Sequence, residues 1–192
     1  MPERGKTMAD SGNILAATIP ADGAAVFAAP LGTPLPTSAT ASLNAAFVDL
    51  GWVSEDGVTN TISREVTRHK SWGGETVKTT QDNYTETIKF ALLESSANVL
   101  EVVYGADNVT AVGDVISAEH SSLQLTRQSF VVDFIDGEVV GRIVIREGLV
   151  TEVGDVRYSH KDMTMYDLTV DVYRPEGQNA AVVTYLDYSP GS

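Results

Sequence analysis

The sequence predicts a mainly β domain, built as a sandwich or barrel, with one short flanking α-helix and an extended N-terminal arm. Three observations carry this expectation. From Val58 onward, β-branched and aromatic runs are separated by turn signals, the texture of an all-β sandwich or barrel. Apolar and polar residues alternate in two of these runs: Phe130, Val132 and Phe134 against Ser129, Val131 and Asp133, and Tyr166, Leu168, Val170 and Val172 against Asp167, Thr169 and Asp171. Asp136-Gly137 between two runs marks a two-residue hairpin, because a type I′ turn needs positive φ. On this pattern one sheet face is buried and the other is wet or pairs with a neighbour.

In chain order, residues 9–46 come first. They are rich in Ala, Thr, Ser and Pro and show neither helical nor strand periodicity. Prolines at 20, 30, 34 and 36 fix φ and remove donors, which argues against a helix or a central strand there. The expected division is an arm over residues 1–46 and a single β-rich domain over residues 47–192. Ordering an arm costs roughly 1–2 kcal/mol per residue, so the surface of another subunit is its natural support.

Strands are expected over residues 60–69, 75–80, 84–92, 123–135, 138–146, 151–159, 163–173 and 181–188. Between the third and fourth, Ser95-Ser96 supplies an N-cap, apolar residues recur at 97, 100, 103 and 104, and Gly105 terminates a helix. At under three turns it must pack across the sheet to persist.

Composition narrows the function. The 192 residues are 43% hydrophobic and 20% charged, ordinary for a folded chain. A net charge of −13 argues against a phosphate-gripping nucleic-acid binder, though a surface past which DNA slides is compatible with it. Cysteine is absent, which removes disulfides, thiol catalysis and Cys-based zinc sites. No apolar run of about 18 residues predicts a membrane span. The first residues lack an apolar signal region, so the expectation is a protein made and used in the cytoplasm, or one that leaves the cell by lysis.

Catalytic patterns are missing. His69, His120 and His160 stand alone, without His-x-x-x-His or Glu-x-x-His spacing, and read as surface residues. Asp133, Asp136 and Glu138 surround a hairpin too short for a calcium loop. No nucleophile elbow, P-loop or dinucleotide fingerprint is present, and Gly73-Gly74 reads as a turn. No enzyme activity and no cofactor are expected. Charge is uneven, however: residues 107–192 hold 14 acids and 6 bases, whereas residues 59–106 hold 6 acids and 5 bases, among them Arg64, Arg68, Lys70 and Lys78.

One ordered set of segments carries a resemblance. It comprises Gly51-Trp52-Val-Ser-Glu-Asp-Gly57, then Thr61-Ile-Ser-Arg-Glu-Val-Thr-Arg-His-Lys-Ser-Trp-Gly-Gly-Glu-Thr-Val-Lys78, then Tyr84-Thr-Glu-Thr-Ile-Lys-Phe-Ala-Leu-Leu-Glu94. The short helix ending Val-Val-Tyr-Gly105 follows, and Lys161-Asp-Met-Thr-Met-Tyr-Asp-Leu-Thr-Val-Asp-Val-Tyr-Arg174 closes the set. Together, over roughly residues 45–175, they resemble the major tail proteins, or tail tube proteins, of long-tailed bacteriophages of actinobacterial hosts. The helix departs from many relatives in lacking a proline at its start.

The resemblance implies a virion structural protein with the tail-tube fold, whose subunits form hexameric rings that stack around a tape-measure protein. A tail terminator and baseplate proteins are the further implied partners. The finished tube would conduct DNA without binding it specifically. Arg64, Arg68, Lys70, Trp72, Gly73, Gly74 and Lys78 are then candidates for inter-subunit contact, and Asp133, Glu138, Asp167 and Asp171 for an acidic channel lining. Two other readings stay open: a different virion component, such as a decoration, terminator or distal tail protein, or a small β-barrel ligand binder or enzyme.

Overall fold

The computed structural model describes residues 14–21 and 23–188; the part of the expected arm before residue 14 lies outside the described residues. The described residues form ten strands: β1 (Val26–Pro30), β2 (Val48–Asp49), β3 (Val53–Lys70), β4 (Thr76–Leu92), β5 (Val109–Val112), β6 (Val115–Ala118), β7 (Gln128–Asp136), β8 (Val139–Val153), β9 (Tyr166–Val172) and β10 (Val182–Asp187). A single α-helix, α1 (Ala97–Tyr104), lies among the described residues between β4 and β5. The chain is mainly β with one short flanking helix, as the alternation patterns imply.

The main sheet runs β2-β1-β7-β8-β9-β4-β3, antiparallel throughout. Strand β8 is long enough to hold two partners end to end on one side: β10 pairs with its residues 140–145 and β9 with its residues 148–153. The outer strands β2 and β3 do not pair with each other, so the architecture is an open, sandwich-like sheet and not a closed barrel. β5 and β6 form a separate hairpin.

Alternation places Phe130, Ile145, Ile88, Phe90, Leu92, Leu168 and Val170 on one face, where they form the main core. Helix α1 closes that core with Val99, Val102 and Val103, which sit at i, i+3 and i+4. Ser96 accepts a hydrogen bond from the Val99 amide, and Gly105 ends the helix at φ 96°. Each fully buried aliphatic or aromatic side chain contributes roughly 1.5–3 kcal/mol relative to exposure, which is why a helix of 8 residues persists here.

Several expectations need correction. Val26–Pro30 is not part of an arm: it is a strand paired on one side with β2 and on the other with β7. Pro30 stands at its last position, where the missing N–H ends the strand. The segments expected over 75–80 and 84–92 form one strand, β4, and those over 138–146 and 151–159 merge into β8, which ends at Val153. Bulges within the continuous pairs made each look like two. The strand expected from residue 123 begins only at Gln128, and the strands expected over 163–173 and 181–188 are shorter at both ends.

The outer face of β7 and β8 is also dry. Residues 31–47 lie over it, and Ala29, Phe47, Val131 and Val144 form a second buried cluster with Leu35, Leu43 and Tyr185 around it. Asp133 and Arg142 sit opposite each other on this covered face. The guanidinium reaches both carboxylate oxygens, at 2.6 and 2.7 Å, and donates to the carbonyls of Ser38 and Ala41.

Gly141 is dictated by packing. It faces Phe134 across the β7–β8 pair, and a Cβ there would run into the Phe134 ring. Gly141→Ala is expected to cost about 1–3 kcal/mol through this overpacking, read as a lowered midpoint in thermal unfolding.

Candidate functional site

The feature that departs most from a compact sandwich is the β3–β4 hairpin. β9 covers the outer edge of β4 only at residues 87–92, so beyond Thr87 the two strands pair with nothing but each other. From Thr61 to Lys70 this leaves a two-stranded ribbon about 30 Å long at ~3.3 Å per residue, with every residue of that stretch of β3 exposed. The sequence explains the shape. Thr, Ser, Arg and Lys occupy both faces, which favours extended backbone but gives no apolar face to fold down. The turn at the tip is closed by Ser71 N–H donating to Glu75 O at 2.8 Å, and Gly74 supplies a φ of 86°.

All seven candidate inter-subunit residues fall on this ribbon. Arg64, Arg68 and Lys70 alternate along one side of β3, Lys78 lies on β4 opposite His69, and Trp72, Gly73 and Gly74 form the tip. Trp72 is fully exposed. Among the described residues the ion pairs are Arg127–Glu147 and Arg142–Asp133, and none of the four ribbon bases has an acidic partner there. Residues 59–85 hold four bases and three acids in a chain of net charge −13, which makes the ribbon a faintly basic finger on an acidic body.

The base of the ribbon is stiffened by a polar ladder on the side continuous with the core. Glu86 accepts from Asn60 Nδ2 at 2.8 Å and from the Tyr84 hydroxyl at 2.7 Å, and Arg64 lies 4.7 Å over the Tyr84 ring. The hydrogen bond to Glu86 raises the Tyr84 phenol above its ordinary pKa; partial burial and the Glu86 charge add to this, and Arg64 opposes it. On the other side Asp82 accepts from the hydroxyls of Thr67 and Thr80. Next to the ladder lies an open cleft of about 960 Å³, lined by Tyr84–Thr87 of β4 and by Asp171, Arg174 and Ala181.

The four acidic candidates separate. Asp167 and Asp171 lie on the polar face of β9 together with Thr169, whose hydroxyl is 3.4 Å from Glu152 of β8. Lys89 and Thr87 of β4 continue that uncovered face. Glu138 is exposed at the β7–β8 turn. Asp133 is committed to Arg142 beneath residues 31–47, with its side chain 16% exposed.

Among the described residues no group of three or more His, Asp or Glu side chains could hold a metal ion. Nor is any helix among them long and apolar enough to cross a membrane. His69, His120 and His160 are all exposed, and His120 stacks on Tyr104 at 4.2 Å.

A family model described as phage tail tube protein matches residues 8–190. The chain belongs to the phage tail tube protein family. No curated protein sequence matches it significantly. As a tail tube protein it is a structural component of the virion, and self-association comes with that role because a tube is made of repeated subunits. The residues that the sequence singles out by local charge and the Gly-Gly turn lie together on the β3–β4 hairpin. Sequence reasoning missed Glu86, Arg174 and Glu152, whose positions depend on pairing between segments far apart in the chain.

Proposed function

We propose that this tail tube protein closes into hexameric rings that stack end to end around a tape-measure protein, forming the conduit through which phage DNA leaves the capsid. The observation that carries the reading is the β3–β4 ribbon. A lone two-stranded hairpin is marginal in water, and its two outer edges carry unpaired N–H and C=O groups that invite a further strand. Pairing with neighbouring subunits satisfies both edges. The number six, the tape measure, the tail terminator and the baseplate partners follow from family resemblance.

Asp167 and Asp171, with Glu152 beside them, are the favoured channel-lining acids, with Glu138 as a further candidate. DNA carries one charge per about 1.7 Å of duplex, so a lining of fixed negative charge repels it and lets it slide. Screening limits the repulsion to about 8 Å at physiological salt, which suits a narrow bore. Asp133 leaves this set because its charge is neutralised inside the subunit by Arg142.

The ribbon bases are read as contacts to acidic faces of adjacent subunits. Changing Arg68, Lys70 and Lys78 together to Glu is expected to abolish polymerisation while leaving the thermal midpoint unchanged, since all three are exposed and have no ion-pair partner among the described residues. Unchanged tube yield and length in the triple variant would remove this role for the ribbon.

A further inference from the structure

We infer that Trp72 at the ribbon tip of one copy seats in an apolar groove at the ribbon base of a second copy, an inference that rests on the tail-tube reading. The groove holds about 480 Å³, within the roughly 300–1,000 Å³ typical of pockets that enclose a small molecule. Ile19, Ala25, Val58, Phe134 and Ile143 line it, and Glu55 stands at its rim.

Three features point to this occupant. Trp72 is fully exposed, with Val77 exposed beside it, although a tryptophan side chain offers about 150–250 Å² of surface to bury. Tryptophans in such positions are typical anchors of interfaces. Charge agrees: Arg68, Lys70 and Lys78 surround the tip, whereas the groove lining contains Glu55 but neither Lys nor Arg, exposed Asp56 adjoins it, and Asp133, also in the lining, is neutralised by Arg142. Distance excludes the same copy, because tip and groove lie at opposite ends of one continuous ribbon, and Trp72 and Val58 are about 45 Å apart along it at ~3.3 Å per residue. The contact is therefore tip to base between copies. A heterologous contact closes into a ring or runs on without end according to its rotation; made between stacked rings, a tip-to-base contact repeats along the axis and gives the growing tube a polarity.

The chain has no cysteine, so introduced thiols report cleanly. Gly73→Cys, which keeps Trp72, and Ser54→Cys at the groove are made as separate variants, assembled as a one-to-one mixture and treated with a short bis-maleimide; tubes are checked by negative stain. The expected result is a cross-linked dimer from the mixture, absent when Gly73→Cys is mixed with Tyr158→Cys. In parallel, Trp72→Ala should raise the concentration for half-assembly about tenfold, and Trp72→Phe should raise it much less. Tubes that form without the Gly73–Ser54 cross-link would overturn this contact and leave the tail-tube reading standing. An unsubstituted chain that forms no tubes overturns both.

Discussion

A chain in which residues 65–83 are replaced by Asn-Gly remains folded and loses assembly entirely. Arg64 and Tyr84 face each other across the hairpin, so a two-residue type I′ turn joins them without changing the register below. No residue of the deleted segment belongs to either buried cluster. The thermal midpoint is therefore expected within a few degrees of the full chain, and circular dichroism should keep its β character. Sedimentation velocity should then show one monomeric species at every concentration at which the full chain polymerises. Tubes of normal yield from the shortened chain would show that the ribbon is ornamental. Loss of the fold would show that it stabilises the subunit itself.

The largest expected effect on stability comes from Asp133→Ala. Arg142 is 8% exposed, and its ion pair with Asp133 also positions it to donate to the backbone of residues 38 and 41. Removing the carboxylate leaves a buried guanidinium without its counter-charge, a change that costs about 3–5 kcal/mol. For a chain of this size each kcal/mol moves the thermal midpoint by roughly 2–4 °C, so a fall on the order of 10 °C is expected by calorimetry. Residues 31–47 should also become sensitive to limited proteolysis, because Arg142 ties them to the sheet. The double change Asp133→Leu with Arg142→Met should recover much of the loss, since an apolar pair avoids the desolvation that the ion pair incurs. A midpoint unchanged in Asp133→Ala would mean that the pair holds nothing in place.

The β architecture was legible because Phe130 and Val132, and likewise Tyr166, Leu168 and Val170, point to one core while their neighbours do not. Helix α1 was legible from its caps. Strand β1 was not, for a physical reason: Val26, Ala28 and Ala29 are buried on both faces of the sheet, which erases the period-two signal, and the prolines that follow gave the whole stretch the look of an arm. The same covering by residues 31–47 explains Asp133, which reads as a wet-face residue only if nothing lies over that face.

Along the ribbon the difficulty is reversed. Both faces are wet, so β4 shows no alternation through Gln81, Asp82 and Asn83 and looked interrupted where it only bulges. The ribbon residues could still be named from sequence, because a Gly-Gly tip flanked by bases inside an acidic chain is a local signal. The groove could not be: Ile19, Ala25, Glu55, Val58, Phe134 and Ile143 come from segments that only the folded sheet brings together.

The central claim is that this chain functions by polymerising with itself through the β3–β4 ribbon. The most direct test is negative-stain electron microscopy of the purified full-length protein over a rising concentration series, with sedimentation velocity on the same samples. Hollow tubes or stacked rings of uniform diameter, above a threshold concentration, are the expected result. A protein that stays monomeric at every concentration, with and without a tape-measure protein to start growth, would contradict the account.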